Sequence, residues 1–326
     1  MTDVIVVGSL MMDLMARAPR LPLPGESLLG DTFGSFIGGK GCNQAIAARR
    51  MGAEVALIGR VGEDDFGRAF LESLAAEGVD HAHVSRDAQT GTGVACVHIG
   101  AETGQNTIIA TPRANLTLTP ALVEEALAAL ASAAPCAQRR PIFLTQCETS
   151  LESVEAGLKR ARLLGLYTIF NVAPIPRTVI PAPMYSLVDA LVVNEIEASA
   201  LSGLPVASSH NALAAADALL SLGPRAVLIT LGERGSLWRG EAPDRRGAVT
   251  VETAAYPVTA VDATGAGDAF CGFLAGALSE NMPLQEALRW ASAAGSLTVT
   301  RMGAVPALPR RAKVARLLAG ATERDI

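Results

Sequence analysis

Asp262-Ala-Thr-Gly-Ala-Gly-Asp-Ala-Phe270 joins an apolar segment, Tyr256 to Val261, to an apolar helix predicted from Asp268 to about Leu278. Gly265, Ala266 and Gly267 carry almost no side chain to block a ligand, and their N–H groups fall where the helix begins. A helix start presents unpaired donors with a partial positive charge, so this turn suits a phosphate or a developing anion. Asp268 follows at once. It reads either as a general base facing that anion or as a carboxylate that merely offsets the helix dipole.

Working outward, the 326 residues carry a net charge of −5, half are hydrophobic, and 4% are aromatic. Many small aliphatic residues suit helices packed closely on a buried parallel sheet. Lys and Arg are dispersed, which argues against nucleic acid or an acidic membrane surface as partner. The five cysteines are scattered without a C-x-x-C and read as residues of a reducing compartment. His81-x-His83 has no further ligand cluster and reads as surface loop, not as a zinc site. With no basic-then-apolar start and no apolar run of membrane-spanning length, a soluble cytoplasmic protein is expected.

Val4 to Gly8 and Val55 to Gly59 are short apolar runs that read as buried strands. Between them, residues 26 to 36 read as an exposed strand, and Ile37-Gly-Gly-Lys-Gly-Cys-Asn-Gln44 opens an Ala-rich helix, Asn43 to Met51. Residues 93–99 and 106–110 are β-prone and form a hairpin, and Thr119-Pro120 caps a helix lasting to about Ala134. Strands at 141–146, 167–172, 190–193 and 226–231 alternate with helices at 150–164 and 210–222, and 235–239 with 249–253 reads as an antiparallel pair. Such alternation predicts an α/β fold: a three-layer Rossmann-like core around a mainly parallel sheet. One domain, 1–326, is expected, with a small β lid formed by about 12–36 and 91–112 over the strand ends.

Gly34-x-x-x-x-Gly39-Lys40 resembles a P-loop, but Gly41 stands where Ser or Thr should hold magnesium, so that reading is rejected. Gly265-x-Gly267 lacks the third glycine of a dinucleotide fingerprint and comes late in the chain. Three softer motifs remain: the glycines around Lys40 with Asn43, Asn194-Glu-Ile-Glu197 after a strand, and Thr230-Leu-Gly-Glu-Arg-Gly235 after another. Each is also explained by a tight turn or a helix cap.

Their joint order resembles the ribokinase-like (PfkB) sugar kinases over nearly the whole chain, and the spelling Gly38-Gly-Lys-Gly-Cys-Asn-Gln-Ala45 resembles the ribokinase branch. Gln146-Cys-Glu148 and Asn171-Val-Ala-Pro174 add to the likeness. The resemblance implies that Asp268 is the base, with Gly265, Ala266 and Gly267 as the anion hole. It implies that Asp13, Gly39, Lys40, Asn43 and Glu148 hold the sugar. Asn194, Thr230, Gly232, Gly235, Gly267 and Ser292 would bind ATP, and Glu197 would help organise Mg²⁺. A K⁺ site is implied at Asp262, Thr264, Thr298, Arg301 and Gly303. Its last position, a serine in ribokinase, is Ala307 here, which weakens the case for cation dependence. A homodimer through the lid is expected, since exposed sheet edges invite partners.

One departure bears on the acceptor. Ribokinases usually carry Asn two residues before Asp13, whereas this chain has Met11, as deoxyribokinases resemble it in having. Losing an amide removes a hydroxyl contact, and an unpaired polar group there costs about 1–3 kcal/mol, so selection should shift. The expected function is transfer from ATP to the primary (5-) hydroxyl of ribose or 2-deoxyribose. Another sugar or a nucleoside, or a sugar-binding regulator without catalysis, are the alternatives.

Overall fold

The computed structural model describes residues 2–102, 105–131 and 139–321. The chain starts as β1 (Val4–Val7), leaves as β2 (Met11–Ala18) and β3 (Thr32–Gly38), and returns through α1 (Lys40–Met51), β4 (Val55–Gly62), α2 (Asp65–Glu77) and β5 (Val84–Asp87). It leaves again as β6 (Gly93–Gly100) and β7 (Asn106–Thr111), followed by α3 (Pro120–Ala131), β8 (Ile142–Thr145), α4 (Leu151–Leu163) and β9 (Tyr167–Asn171). Then come α5 (Ala182–Tyr185), β10 (Ala190–Asn194), α6 (Glu195–Ser202), α7 (Ser209–Leu220) and β11 (Ala226–Thr230). The pair β12 (Ser236–Glu241) and β13 (Ala248–Thr253) precedes α8 (Ala266–Ser279), α9 (Leu284–Thr298) and α10 (Arg311–Leu318).

Nine strands form one sheet in the order β13-β12-β11-β10-β9-β8-β1-β4-β5. From β11 to β5 all neighbours are parallel, and β12 and β13 close one edge antiparallel. Successive strand residues face opposite layers, as a period of two requires. Val4, Val6, Val55, Leu57 and Leu144 pack with α1, α8, α9 and α10, whereas Ile5, Val7, Ile58 and Phe143 pack with α3, α4 and α7. This is the expected three-layer α/β architecture.

The second sheet has four strands, β3-β2-β6-β7, and is built from the two predicted β-rich insertions. Here β2 pairs antiparallel with β3 and parallel with β6. Because β3 belongs to this sheet, no parallel strand feeds Lys40, which agrees with rejecting the P-loop. Some elements go beyond the sequence reading. The strand β2 falls within the predicted lid segment but was not assigned as a separate strand, because its sequence, Met-Met-Asp-Leu-Met-Ala-Arg-Ala, shows no clean alternation. The helices α9 and α10 were not assigned from sequence. The predicted helix end at Ala134, and Cys136, lie outside the described residues.

Contact between α1 and α8 fixes the distance between the two signature motifs. A Cβ on Gly272 would overlap the Ala47 side chain and the Gln44 carbonyl, and one on Gly276 would press on Met51. Small residues therefore allow the helix backbones to approach, and Cys42, Ala45, Ala48, Ala269 and Phe273 fill the seam. Overpacking of this kind costs about 1–3 kcal/mol. Gly272→Val is expected to lower the thermal midpoint and the urea midpoint together; midpoints equal to wild type would show that the helices can part without cost.

Candidate active site

Strand order reverses between β8 and β1, and at this point an open α/β sheet carries its ligand crevice beyond the carboxyl ends of the strands. The carboxyl ends of β1, β8, β9, β10 and β11 deliver Ser9, Glu148, Asn171, Asn194 and Thr230 there. A cavity of about 390 Å³ lies between these ends and the small sheet, which contributes Met11, Asp13, Met15, Phe36, Ala95, Val97, Ile108 and Ala110. Lys40, Asn43, Glu197, Thr264, Gly265, Gly267, Asp268 and Gly303 also line it. Regions 38–43 and 262–268, more than two hundred residues apart in sequence, thus share one cleft.

The glycines of the first signature are steric requirements. A Cβ on Gly38 would overlap the Asp13 carboxylate, and one on Gly41 would overlap the Gly8–Ser9 backbone. Gly39 has φ +86°, a region that favours glycine, and serves as the N-cap of α1. The following residues then meet the cleft from the helix start. Glu148 Oε2 accepts from Ser9 Oγ at 2.5 Å and from the Lys40 backbone N–H at 2.9 Å, so a distant carboxylate holds the turn.

Asp268 occupies the first turn of α8 and is buried. Its Oδ2 accepts from Asn43 Nδ2 at 2.9 Å and its Oδ1 from Gln44 Nε2 at 2.9 Å. Gln44 Nε2 also donates to Asn171 Oδ1 at 3.0 Å, and Gln44 Oε1 accepts from Gln146 Nε2 at 2.7 Å. Asn171 Nδ2 in turn donates to the Val192 carbonyl at 3.1 Å. This chain of buried amides aims the carboxylate. Gly265, with φ +79°, starts α8, and no side chain caps it. The helix's first backbone bond runs from Ala269 N–H to the Gly265 carbonyl, at 2.8 Å. A Cβ on Gly267 would meet nothing within 4 Å, so that position faces open space.

Charges here are unequal. Burial, reinforced by the Glu148 and Asp268 carboxylates, pushes the Asp13 carboxyl up to about 7 against the pull of Lys40. Burial likewise raises Glu148 and Glu197. Burial alone would favour a neutral Lys40 amine, but Asp268, Glu148 and Glu197 outweigh it and keep the ammonium charged. Asn43 Oδ1 is buried without a hydrogen-bond partner, an acceptor available to a ligand hydroxyl.

The remaining predicted residues divide. Asn194 Oδ1 accepts from Glu197 N–H at 2.8 Å and Glu197 Oε2 from Asn194 N–H at 2.7 Å, a reciprocal cap on α6. Both residues also line the cleft, as does Thr230. Gly232, Gly235 and Ser292 do not line it. Gly235, with φ +90°, closes the β11–β12 turn, and Ser292 Oγ donates to the Ala254 carbonyl at 2.8 Å. Asp262 Oδ1 accepts from Thr264 N–H and Oγ, at 2.9 and 2.6 Å, and its Oδ2 from Gly303 N–H at 2.9 Å. Its carboxylate is therefore committed to the loop, which leaves backbone oxygens as the loop's free acceptors. Thr298 bonds back to Ala294, Arg301 is exposed and Ala307 is buried. Among the described residues no three His, Cys, Asp or Glu side chains cluster as a metal cage.

Four residues escaped assignment from sequence: Ser9, Gln44, Gln146 and Asn171. The signal was present, since polar side chains within apolar strand ends and an Ala-rich helix must find partners once buried.

The model of the family described as "pfkB family carbohydrate kinase" matches residues 1–311. A ribokinase of Haemophilus influenzae is 34% identical over 313 residues, covering 96% of this chain and 97% of that protein. A deoxyribokinase of Salmonella typhi is 30% identical over 307 residues, covering 94% and 95%. The solved structure of Arabidopsis thaliana ribokinase complexed with ribose and ATP aligns with a TM-score of 0.84 at 31% identity, covering 97% of this chain and 98% of that one.

The raised Asp13 has a consequence for stability. The folded carboxyl holds its proton up to about 7, whereas its ordinary value is 3.8, so across that window the folded state binds the extra proton. Stability therefore falls as pH rises through the window, because the unfolded chain has already released the proton. Asp13→Asn is expected to gain on wild type in urea midpoints of the ligand-free protein as pH rises from about 4 to about 7, with the gap levelling off above that. A gap independent of pH would contradict the assignment.

Proposed function

The chain belongs to the pfkB family of carbohydrate kinases, and from that premise we propose an ATP-dependent pentose kinase that phosphorylates the 5-hydroxyl of ribose or 2-deoxyribose. One observation carries the reading: Asp268 shares a cleft with the uncapped start of α8 and with the Lys40–Asn43 turn. Phosphoryl transfer asks for positioning and charge stabilisation more than covalent chemistry. Asp13, Gly39, Lys40, Asn43 and Glu148 hold the sugar, and Asp268 takes the proton from its hydroxyl. The resulting oxygen bonds to the terminal phosphorus as the bond to the bridging oxygen breaks and ADP leaves. N–H groups of Gly265, Ala266 and Gly267 meet the charge on the transferred group. Met11, Met15, Ala95 and Val97 give the cleft an apolar wall that limits the access of water to the reacting groups.

ATP extends from Gly267 past Asn194 and Thr230 toward Gly232, Gly235 and Ser292. Glu197 fits a magnesium held chiefly by nucleotide phosphates and water, since no protein cage surrounds it among the described residues. When bound, that ion supplies charge neutralisation across the phosphates. A K⁺ ion is assigned to the loop of Asp262, Thr264, Thr298, Arg301, Gly303 and Ala307; turnover unchanged on replacing K⁺ by a large organic cation would remove it. Phe33 on edge strand β3 and Ile109 on edge strand β7 are 72% and 67% exposed, which supports a homodimer through this lid. A monomer-sized boundary in sedimentation would exclude it. The free thiols of Cys42, Cys96, Cys147 and Cys271 fit a cytoplasmic location, and no helix of the described residues is long and apolar enough to cross a membrane.

ADP release on adding sugar separates this reading from a non-catalytic regulator. Asp268→Asn is expected to lower kcat about 10²–10⁴-fold while ATP binding persists; retention of most turnover would overturn the base assignment. Met11→Asn is expected to shift the ratio of kcat/KM toward ribose over 2-deoxyribose by about tenfold, the equivalent of one hydroxyl contact. An unchanged ratio would show that Met11 does not read the 2-position.

A further inference from the structure

The polarity of the buried amide chain behind Asp268 is fixed at its far end. A backbone carbonyl can only accept, and that of Val192 accepts from the Val172 N–H at 3.0 Å and from Asn171 Nδ2 at 3.1 Å. Asn171 therefore turns its Oδ1 toward Gln44, which must answer with Nε2, at 3.0 Å. Gln44 Oε1 is then left to accept, and Gln146 Nε2 donates to it at 2.7 Å. Both protons of the Gln44 amide are committed, one to Asn171 Oδ1 and the other to Asp268 Oδ1 at 2.9 Å. Gln44 and Gln146 are 0% and 1% exposed, so bulk water does not compete for these bonds.

The two oxygens of Asp268 are consequently unequal. Oδ1 faces an N–H that cannot turn away without breaking the bonds of Gln44 to Asn171 and Gln146, and a proton placed on Oδ1 would weaken a charge-assisted bond. Oδ2 accepts from Asn43 Nδ2 at 2.9 Å, but Asn43 Oδ1 is buried without a hydrogen-bond partner. Nothing on that oxygen holds the Asn43 amide in place, so it can reverse and accept from a proton on Oδ2. Asn43 and Asp268 line the cleft, whereas Gln44 does not. We propose that Gln44 is a positioning residue for the transfer: it keeps Asp268 Oδ1 as a fixed acceptor, Oδ2 takes the proton of the sugar hydroxyl, and Gln146 acts through Gln44. The sugar O–H bond breaks as the Oδ2–H bond forms, and the electron pair left on the sugar oxygen makes the bond to phosphorus. This role rests on the kinase reading.

Gln44→Met and Gln146→Met each remove an amide at nearly constant size, and the full chain is assayed by ADP release with ATP and pentose varied. Gln44→Met is expected to lower kcat about 10–100-fold, the equivalent of one hydrogen bond to a charged group, with the sugar KM within about twofold of wild type. Gln146→Met is expected to lower kcat by a smaller factor, about three- to tenfold. The double variant is expected to be no slower than Gln44→Met, because Gln146 acts only through Gln44. Losses that multiply in the double variant, or a raised KM at unchanged kcat, would assign the two amides to packing and overturn the role. A wild type that releases no ADP would instead fail the kinase reading, and this role with it. A crystal structure of wild type with pentose and a non-hydrolysable ATP analogue decides the matter even if the variants do not fold. The acceptor hydroxyl is expected on Asp268 Oδ2, with Gln44 still bonded to Oδ1; a hydroxyl seated on Oδ1 would overturn the assignment.

Discussion

A buried carboxylate that must be held without being neutralised is the constraint on which the structure depends. Asp268 stands in a first helical turn, where the backbone favours negative charge. Its two oxygens are met by amides from α1. Each hydrogen bond to a charged group is worth about 1.5–3 kcal/mol, and leaving such a group unpaired costs more than the bond returns. The carboxylate is therefore tolerable only while α1 and α8 stay in contact, and Gly272 and Gly276 permit that contact.

From this seam the rest of the site follows. Ser9 after β1 and Glu148 after β8 brace the turn before α1, and Gln146 after β8 and Asn171 at the end of β9 brace Gln44. The glycines at 38, 39 and 41 leave room for the Asp13 carboxylate and the Gly8 backbone, which explains why a lid strand can run straight into a core helix. The lid in turn lines the cleft with apolar side chains, and burial raises the carboxyls of Asp13, Glu148 and Glu197.

Much of this was legible in the sequence, and the reason is local. Buried parallel strands such as Val4–Val7 announce themselves as unbroken apolar runs, and the glycines of both signatures mark positions where backbone must approach backbone or ligand. What stayed hidden was pairing. Nothing near Gln44 in the chain indicates that it will reach Asp268, Asn171 and Gln146, because those partners arrive from three other elements. The same holds for Gly235, which closes a strand turn, and for Ser292, which ties a helix to the chain after β13, contacts that no neighbouring residue in the sequence indicates.

The most direct measurement is a crystal structure of the protein with pentose and a non-hydrolysable ATP analogue. The account requires the acceptor hydroxyl within about 3.2 Å of an Asp268 oxygen, with the terminal phosphate on the Gly265–Gly267 amides. A sugar seated away from Asp268, or a phosphate held elsewhere than at the start of α8, would contradict it.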